Sequence, residues 1–204
     1  MTFTYADAIV GSQRVHARKE ADFYPTPANV TVALLEFLKL PKHNTIWEPA
    51  CGDGAMSRVF LQYGYKVLSS DLREDSGYGK GGVNFQTAEG TADWIITNPP
   101  FNLAEIFIRK SLTVTPNVAM LLKSQYWHAA SRLPLFQSNP PEWVLPLTWR
   151  PSFLEKERGN SPLMDVIWVV WSSSYNGPTK FQPIKRPIVA VISQVSTDLT
   201  ELLS

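Results

Sequence analysis

Asn98-Pro99-Pro100-Phe101 follows directly on the apolar run Trp94-Ile95-Ile96. These residue types suit the holding of a planar amine against an electrophile. The Asn98 amide oxygen and the Pro99 carbonyl can both accept hydrogen bonds from a single NH2 group, and the two prolines fix the chain that presents them. Phe101 supplies a ring on which an attached base can stack. An aromatic exocyclic amine is a poor nucleophile because its lone pair is delocalised into the ring. Two acceptors would draw its hydrogens out of plane and aim the lone pair outward, which is positioning together with electrostatic catalysis. Taken alone, the same four residues also read as a proline-rich strand exit with a buried Phe.

A second motif lies upstream, Glu48-Pro49-Ala50-Cys51-Gly52-Asp53-Gly54. Its glycines permit close backbone approach, and Ala50 and Cys51 are too small to fill the space above the turn, so a ligand can enter. Asp71 closes the next apolar segment, where it can accept hydrogen bonds from a ribose diol or simply serve a turn. The Walker motif G-x-x-x-x-G-K-[ST] is absent, and a single G-x-G stands where a dinucleotide fingerprint needs G-x-G-x-x-G, which weighs against triphosphatases and dehydrogenases. Cys51 has no His near it in sequence and reads as a small packing residue rather than a reactive thiol.

The elements that position these motifs alternate. Val30, Leu34, Leu35 and Leu38 recur at helical spacing before Pro41. Thr45 to Glu48 reads as a strand, Ala55 to Tyr63 as a helix with Met56, Val59 and Phe60 on one face, and Tyr65 to Ser70 as a second strand. A glycine-rich loop spans Gly77 to Gly82; Trp94 to Thr97 is a third strand and Leu103 to Leu112 a helix. Asn117 to Lys123, Glu142 to Leu147 and Val166 to Trp171 read as further strands, and Ala129 to Phe136 as a helix. Such alternation predicts an α/β domain with a largely parallel sheet. Residues 1–20 read as an arm, 21–195 as one domain and 196–204 as a polar tail, with a charged loop from Arg150 to Pro162.

Composition removes several classes. The chain has 204 residues, 44% hydrophobic, enough for one ordinary core. Nineteen basic against eighteen acidic residues leave a net charge of +1, so any phosphate-binding surface must come from local clustering. One cysteine and three scattered histidines argue against a disulfide framework and a metal centre. Nothing resembles a signal peptide or a bilayer-spanning run, and the expectation is a cytoplasmic protein without a membrane or metal partner.

Order and spacing add a resemblance. Tyr24-Pro25-Thr26-Pro27, then Glu48 to Gly54, then Asp71, then Asn98 to Phe101 resemble the S-adenosylmethionine-dependent N6-adenine DNA methyltransferases. The cofactor motif precedes the catalytic one, as in that group's gamma class, and the order also resembles that of the small phage- or prophage-encoded adenine methylases. The resemblance covers roughly Asp22 to Trp171. It implies a Rossmann-like class I methyltransferase fold, a seven-stranded, mostly parallel sheet with an antiparallel last strand and helices on both faces. It implies S-adenosyl-L-methionine as cofactor, with Phe23, Tyr24, Pro25 and Thr26 flanking its methionine part, Glu48, Ala50 and Gly52 lining it, Asp71 on its ribose and Phe85, beside Asn84, near its adenine. Asn98, Pro99 and Phe101 then carry the transfer.

Over these 204 residues no separate recognition domain like that of restriction-type members is expected. Sequence preference is therefore short or absent, or it resides in the Arg150 to Pro162 loop. Lys123, Arg132, Arg150, Lys156 and Arg158 are candidate contacts to phosphate or base, with solvated charge as the alternative for each. Trp127 and Trp149 could stack on bases, although core packing is the simpler role. DNA is the expected partner. RNA bases, a protein glutamine amide, and an inactive partner subunit are the competing readings, and oligomeric state is left open.

Overall fold

A computed structural model describes residues 25–153, 164–173 and 175–188. Phe23, Tyr24, Lys156 and Arg158 lie outside them. The elements are α1 (Ala28–Leu38), β1 (Thr45–Glu48), α2 (Ala55–Gln62), β2 (Lys66–Ser69), β3 (Trp94–Thr97), α3 (Ala104–Val114), β4 (Val118–Lys123), α4 (Leu133–Ser138), β5 (Trp143–Pro146), β6 (Val166–Trp171) and β7 (Lys180–Phe181). Short 3-10 turns occupy Phe101–Leu103, Ser124–Trp127 and Ala130–Arg132.

The seven strands form one sheet in the order β2-β1-β3-β4-β6-β5-β7. All pairings are parallel except those of β6 with β4 and β5. The mostly parallel seven-stranded sheet with an antiparallel member near its end is the one expected; the antiparallel strand is sixth in chain order, and a two-residue parallel edge follows it. That edge escapes a sequence reading because Lys180 and Phe181 are too few to show an alternating pattern. Between β2 and β3, residues 70–93 make a single bridge, Ser70 to Lys80, rather than a strand.

Period-two alternation builds two cores from one sheet. Ile46, Trp94, Ile96, Ala119, Leu121, Trp168 and Val170 face α1 and α2, joining Val30, Leu34, Met56, Val59 and Phe60. Trp47, Ile95, Val118, Met120, Leu122, Ile167, Val169 and Trp171 face the other way, onto Phe107 and Ile108 of α3 and Leu135 of α4. Each fully buried Leu, Ile or Phe contributes about 1.5–3 kcal/mol, so the double-sided burial of β3, β4 and β6 is the main stabilising term. Trp168 is fully buried and its indole Nε1 donates to the Val30 carbonyl at 3.1 Å, which pins α1 to the sheet centre. α1 ends at Leu38 because Lys39 turns left-handed, φ 49°, and its N–H closes on the Leu35 carbonyl; Pro41 lies beyond that stop.

Candidate active site

Parallel pairing brings the carboxyl ends of β1, β2, β3 and β4 to one edge, where ligands of open α/β sheets bind. Glu48, Ser69, Thr97 and Lys123 end those strands. Because β6 runs backwards, with Val166 opposite Lys123 and Pro146 opposite Ile167, the segments after β5 and before β6 open on the same edge.

Asn98 sits where β3 leaves the sheet. Its side-chain Nδ2 donates to Thr26 Oγ1 at 3.0 Å, and Thr26 is itself buried. Its Oδ1 is buried and takes no hydrogen bond from the described residues. A buried acceptor without a donor costs about 1–3 kcal/mol, which a ligand donor can recover. The turn continues through Pro100, whose carbonyl accepts from Leu103 N–H at 2.8 Å and starts the 3-10 turn bearing Phe101. The Phe101 ring is half-buried, and the Lys123 ammonium lies 4.5 Å from its centroid.

The Glu48–Gly54 turn is organised by hydrogen bonds to buried carboxylates. Gly52 N–H donates to Asp71 Oδ2 at 2.8 Å, and Arg73 donates to Asp71 Oδ1 from its main chain at 2.9 Å and its Nε at 3.3 Å. Asp71 thus ties the end of β2 to the turn, and its oxygens keep further lone pairs for a diol. Glu48 is 2% exposed and accepts from the Ser57 hydroxyl, which lies 2.7 Å from Ser69 Oγ. Burial, with Asp53 and Asp71 adding like charge, pushes the Glu48 carboxyl up to about 8 in spite of the Ser57 hydrogen bonds.

Gly52 and Gly54 both adopt positive φ, 55° and 83°. At Gly54 a Cβ would stand 2.4 Å from the Tyr78 ring, so the 72–83 segment packs directly on the turn. Tyr78 also accepts the Cys51 thiol on its carbonyl at 3.3 Å and carries Arg58 4.8 Å from its ring centroid. Cys51 is buried, with its thiol pushed up to about 12 mainly by desolvation, so it stays protonated and packs.

The remaining candidates divide. Pro25 and Thr26 reach the site through the Thr26 link to Asn98, and Ala50 packs at the edge of the second core. Phe85 is 1% exposed, its ring against Trp47 at 5.2 Å and Phe107 at 5.1 Å. It offers no face to a cofactor adenine, and its aromatic character is spent on packing. Asn84 uses its Oδ1 to accept Gln86 N–H in a tight turn. Arg132 donates to the Tyr126 carbonyl at 2.6 Å with its guanidinium 4.0 Å from that ring, and Arg150 pairs with Asp165 at 2.8 Å. Trp127 packs against Phe136 with ring centroids 4.4 Å apart and the rings tilted by 41°; Trp149 packs against the first core with its Nε1 buried and without a partner among the described residues.

Sequence reasoning missed Tyr78, Ser57 and the Thr26–Asn98 bond. Ser57 carried a signal, since it adjoins Met56 on an otherwise apolar helix face; the other two depend on tertiary contact. Among the described residues no group of His, Cys, Asp and Glu could hold a metal, and no helix is long and apolar enough to cross a membrane.

No protein-family model matches the chain, and no curated protein matches it. Solved structures do. A type I restriction-modification methyltransferase subunit from Streptococcus thermophilus superposes with a TM-score of 0.60 at 10% identity, over 86% of this chain and 53% of that one. A putative RNA methyltransferase from Pyrococcus horikoshii gives 0.58 at 15% identity, over 72% and 84%. A putative class I S-adenosylmethionine-dependent methyltransferase from Listeria monocytogenes gives 0.55 at 14% identity, over 98% and 79%. The chain spans about half the length of the restriction subunit. Taken with the strand order and the helices on both faces, these likenesses give the chain the Rossmann-like fold of the class I S-adenosylmethionine-dependent methyltransferases.

Proposed function

We propose that the chain is an S-adenosylmethionine-dependent methyltransferase acting on the N6 amine of an adenine turned out of DNA, with short or no sequence specificity. The observation that carries this reading is Asn98 Oδ1, a buried acceptor without a donor among the described residues, at the head of an Asn-Pro-Pro-Phe turn on the edge of the sheet where ligands of open α/β folds bind. An adenine amine supplies the missing donor.

The residues present fit the cofactor. A buried carboxyl at Glu48 and the glycine turn beside it suit the zwitterionic methionine end, with Ala50, Gly52 and the Pro25–Thr26 approach around it. Asp71 suits the ribose diol, because a carboxylate accepts from two hydroxyls while keeping its bonds to Gly52 and Arg73. The bound cofactor supplies an electrophilic methyl group. The chain's own part is to hold the acceptor: Asn98 Oδ1 and the Pro99 carbonyl accept from the amine, and Phe101 stacks on the ring. Lys123, 4.5 Å from the Phe101 ring, and Arg150, exposed beside its partner Asp165, are suited to phosphate. Lys156 and Arg158 are assigned the same role within the loop.

The test is transfer of labelled methyl, in parallel, to duplex DNA, single-stranded DNA, RNA and protein, followed by mass spectrometry of the modified nucleoside. N6-methyladenine in DNA is expected. Label appearing only in RNA moves the reading to an RNA base, and label in none of the four overturns it.

A further inference from the structure

Thr26 flanks the expected methionine end of the cofactor, and its hydroxyl is also the one partner of the Asn98 amide in the described structure, across 72 residues of sequence. An Asn side chain has nearly the same shape in its two amide orientations, so hydrogen bonds decide which way it points. With Nδ2 on Thr26, the atom left bare is Oδ1, an acceptor. In the opposite orientation a buried NH2 would be left bare, with two donors lacking partners, and buried orphan donors are rarer than under-used carbonyl oxygens. That orientation would also meet an incoming amine donor to donor. The bond further polarises the amide, since donation through Nδ2 enriches Oδ1.

We propose that Thr26 is a positioning residue for the transfer step: its hydroxyl sets the orientation of the Asn98 amide and so presents Oδ1 to the substrate amine. The role rests on the function proposed above and deepens it. It separates Thr26 from residues that only enclose the cofactor, because its effect passes through Asn98. Pro25 and Pro27 on either side hold the segment that carries the hydroxyl, and α1, whose first turn closes with Val30 N–H on the Pro27 carbonyl at 2.9 Å, is fixed to the sheet by Trp168. The hydroxyl is therefore placed by rigid parts of the fold.

The experiment compares Thr26→Val, which keeps the shape and removes the hydroxyl, with Thr26→Ala and Thr26→Ser in the full chain. Expected is a fall in kcat of about 10- to 100-fold for Val and Ala at saturating cofactor and DNA, the scale of a misplaced catalytic group. The cofactor Kd by calorimetry should stay within about twofold, and Ser should restore kcat to within about threefold. A second readout needs no turnover. The Asn98 side-chain amide, assigned in a 15N spectrum by its loss in Asn98→Asp, should show slowed exchange of one Nδ2 proton in the wild type and in Thr26→Ser, and not in Val. Unchanged kcat in Val and Ala overturns the proposal, as does a weakened cofactor Kd with kcat intact, which would return Thr26 to the cofactor alone. A wild-type chain that methylates none of the four acceptors removes the function and, with it, the positioning role.

Discussion

At the scale of single residues, Glu48 makes the clearest pH prediction. Its carboxyl rises from an ordinary 4.5 to about 8 in the folded chain, because burial penalises the anion and Asp53 and Asp71 add like charge. A raised folded value means that the native state holds the proton more tightly than the unfolded chain. The stability this contributes is fully present below about pH 4.5 and is lost as pH rises through about 8. Over that window the slope from this group approaches about 1.4 kcal/mol per pH unit. Glu48→Gln should flatten it, read as unfolding free energy in urea from pH 5 to 9; an unchanged slope would show that Glu48 is ionised when folded. The placing of Glu48, Asp71 and Asn98 at or just past strand ends was legible in the sequence from the apolar runs that precede them. The Asn98 orientation was not, because Thr26 is brought to it only by folding, and Phe85 misled because an aromatic beside a predicted ligand site is indistinguishable in sequence from one under it.

At the scale of elements, the contact between the 72–83 segment and the glycine turn can be isolated by comparing two glycines. Gly54 and Gly77 both have positive φ, 83° and 74°, so alanine at either meets the left-handed backbone penalty of about 1–2 kcal/mol. Only at Gly54 does a Cβ meet a ring. Gly54→Ala should therefore lower Tm by several degrees more than Gly77→Ala, and adding Tyr78→Ala should return most of the excess; equal losses at the two sites would mean that Tyr78 gives way freely. Trp168→Ala, which removes both a fully buried indole and its bond to Val30, should cost about 3–5 kcal/mol in urea unfolding, a large share of the 5–15 kcal/mol typical of a domain. Most strands and helices were readable because they are long enough for one period to show, Val166–Trp171 from its unbroken apolar run. The helix expected at Ala129 to Phe136 divides into a 3-10 turn and α4, where Pro134 sits in the first turn of the helix.

At the scale of the whole molecule, near-neutral charge means that affinity for a polyanion must rest on a few placed cations. If Lys123 meets a phosphate beside the extruded base, Lys123→Met should reduce the salt slope of DNA binding by about one and leave cofactor Kd unchanged; an unaltered slope would leave the residue only its contact with Phe101. The α/β class followed from alternation, but the place of β6 between β4 and β5 did not, since pairing order is set by tertiary packing and not by any local pattern. That placement has a practical consequence. The chain leaves the sheet after β5 and returns into β6 on adjoining antiparallel strands; the Arg150–Asp165 ion pair draws the two crossing points together, and the Ser124 N–H to Asp165 carbonyl bond fixes the point of return to the end of β4. Closing a longer excursion between such points costs only about 0.6 kcal/mol per doubling of its length. The position is a natural socket for grafting: segments of different lengths can be exchanged there without disturbing strand register, which offers an engineer a way to vary what meets this edge of the sheet while the strands beneath are left alone.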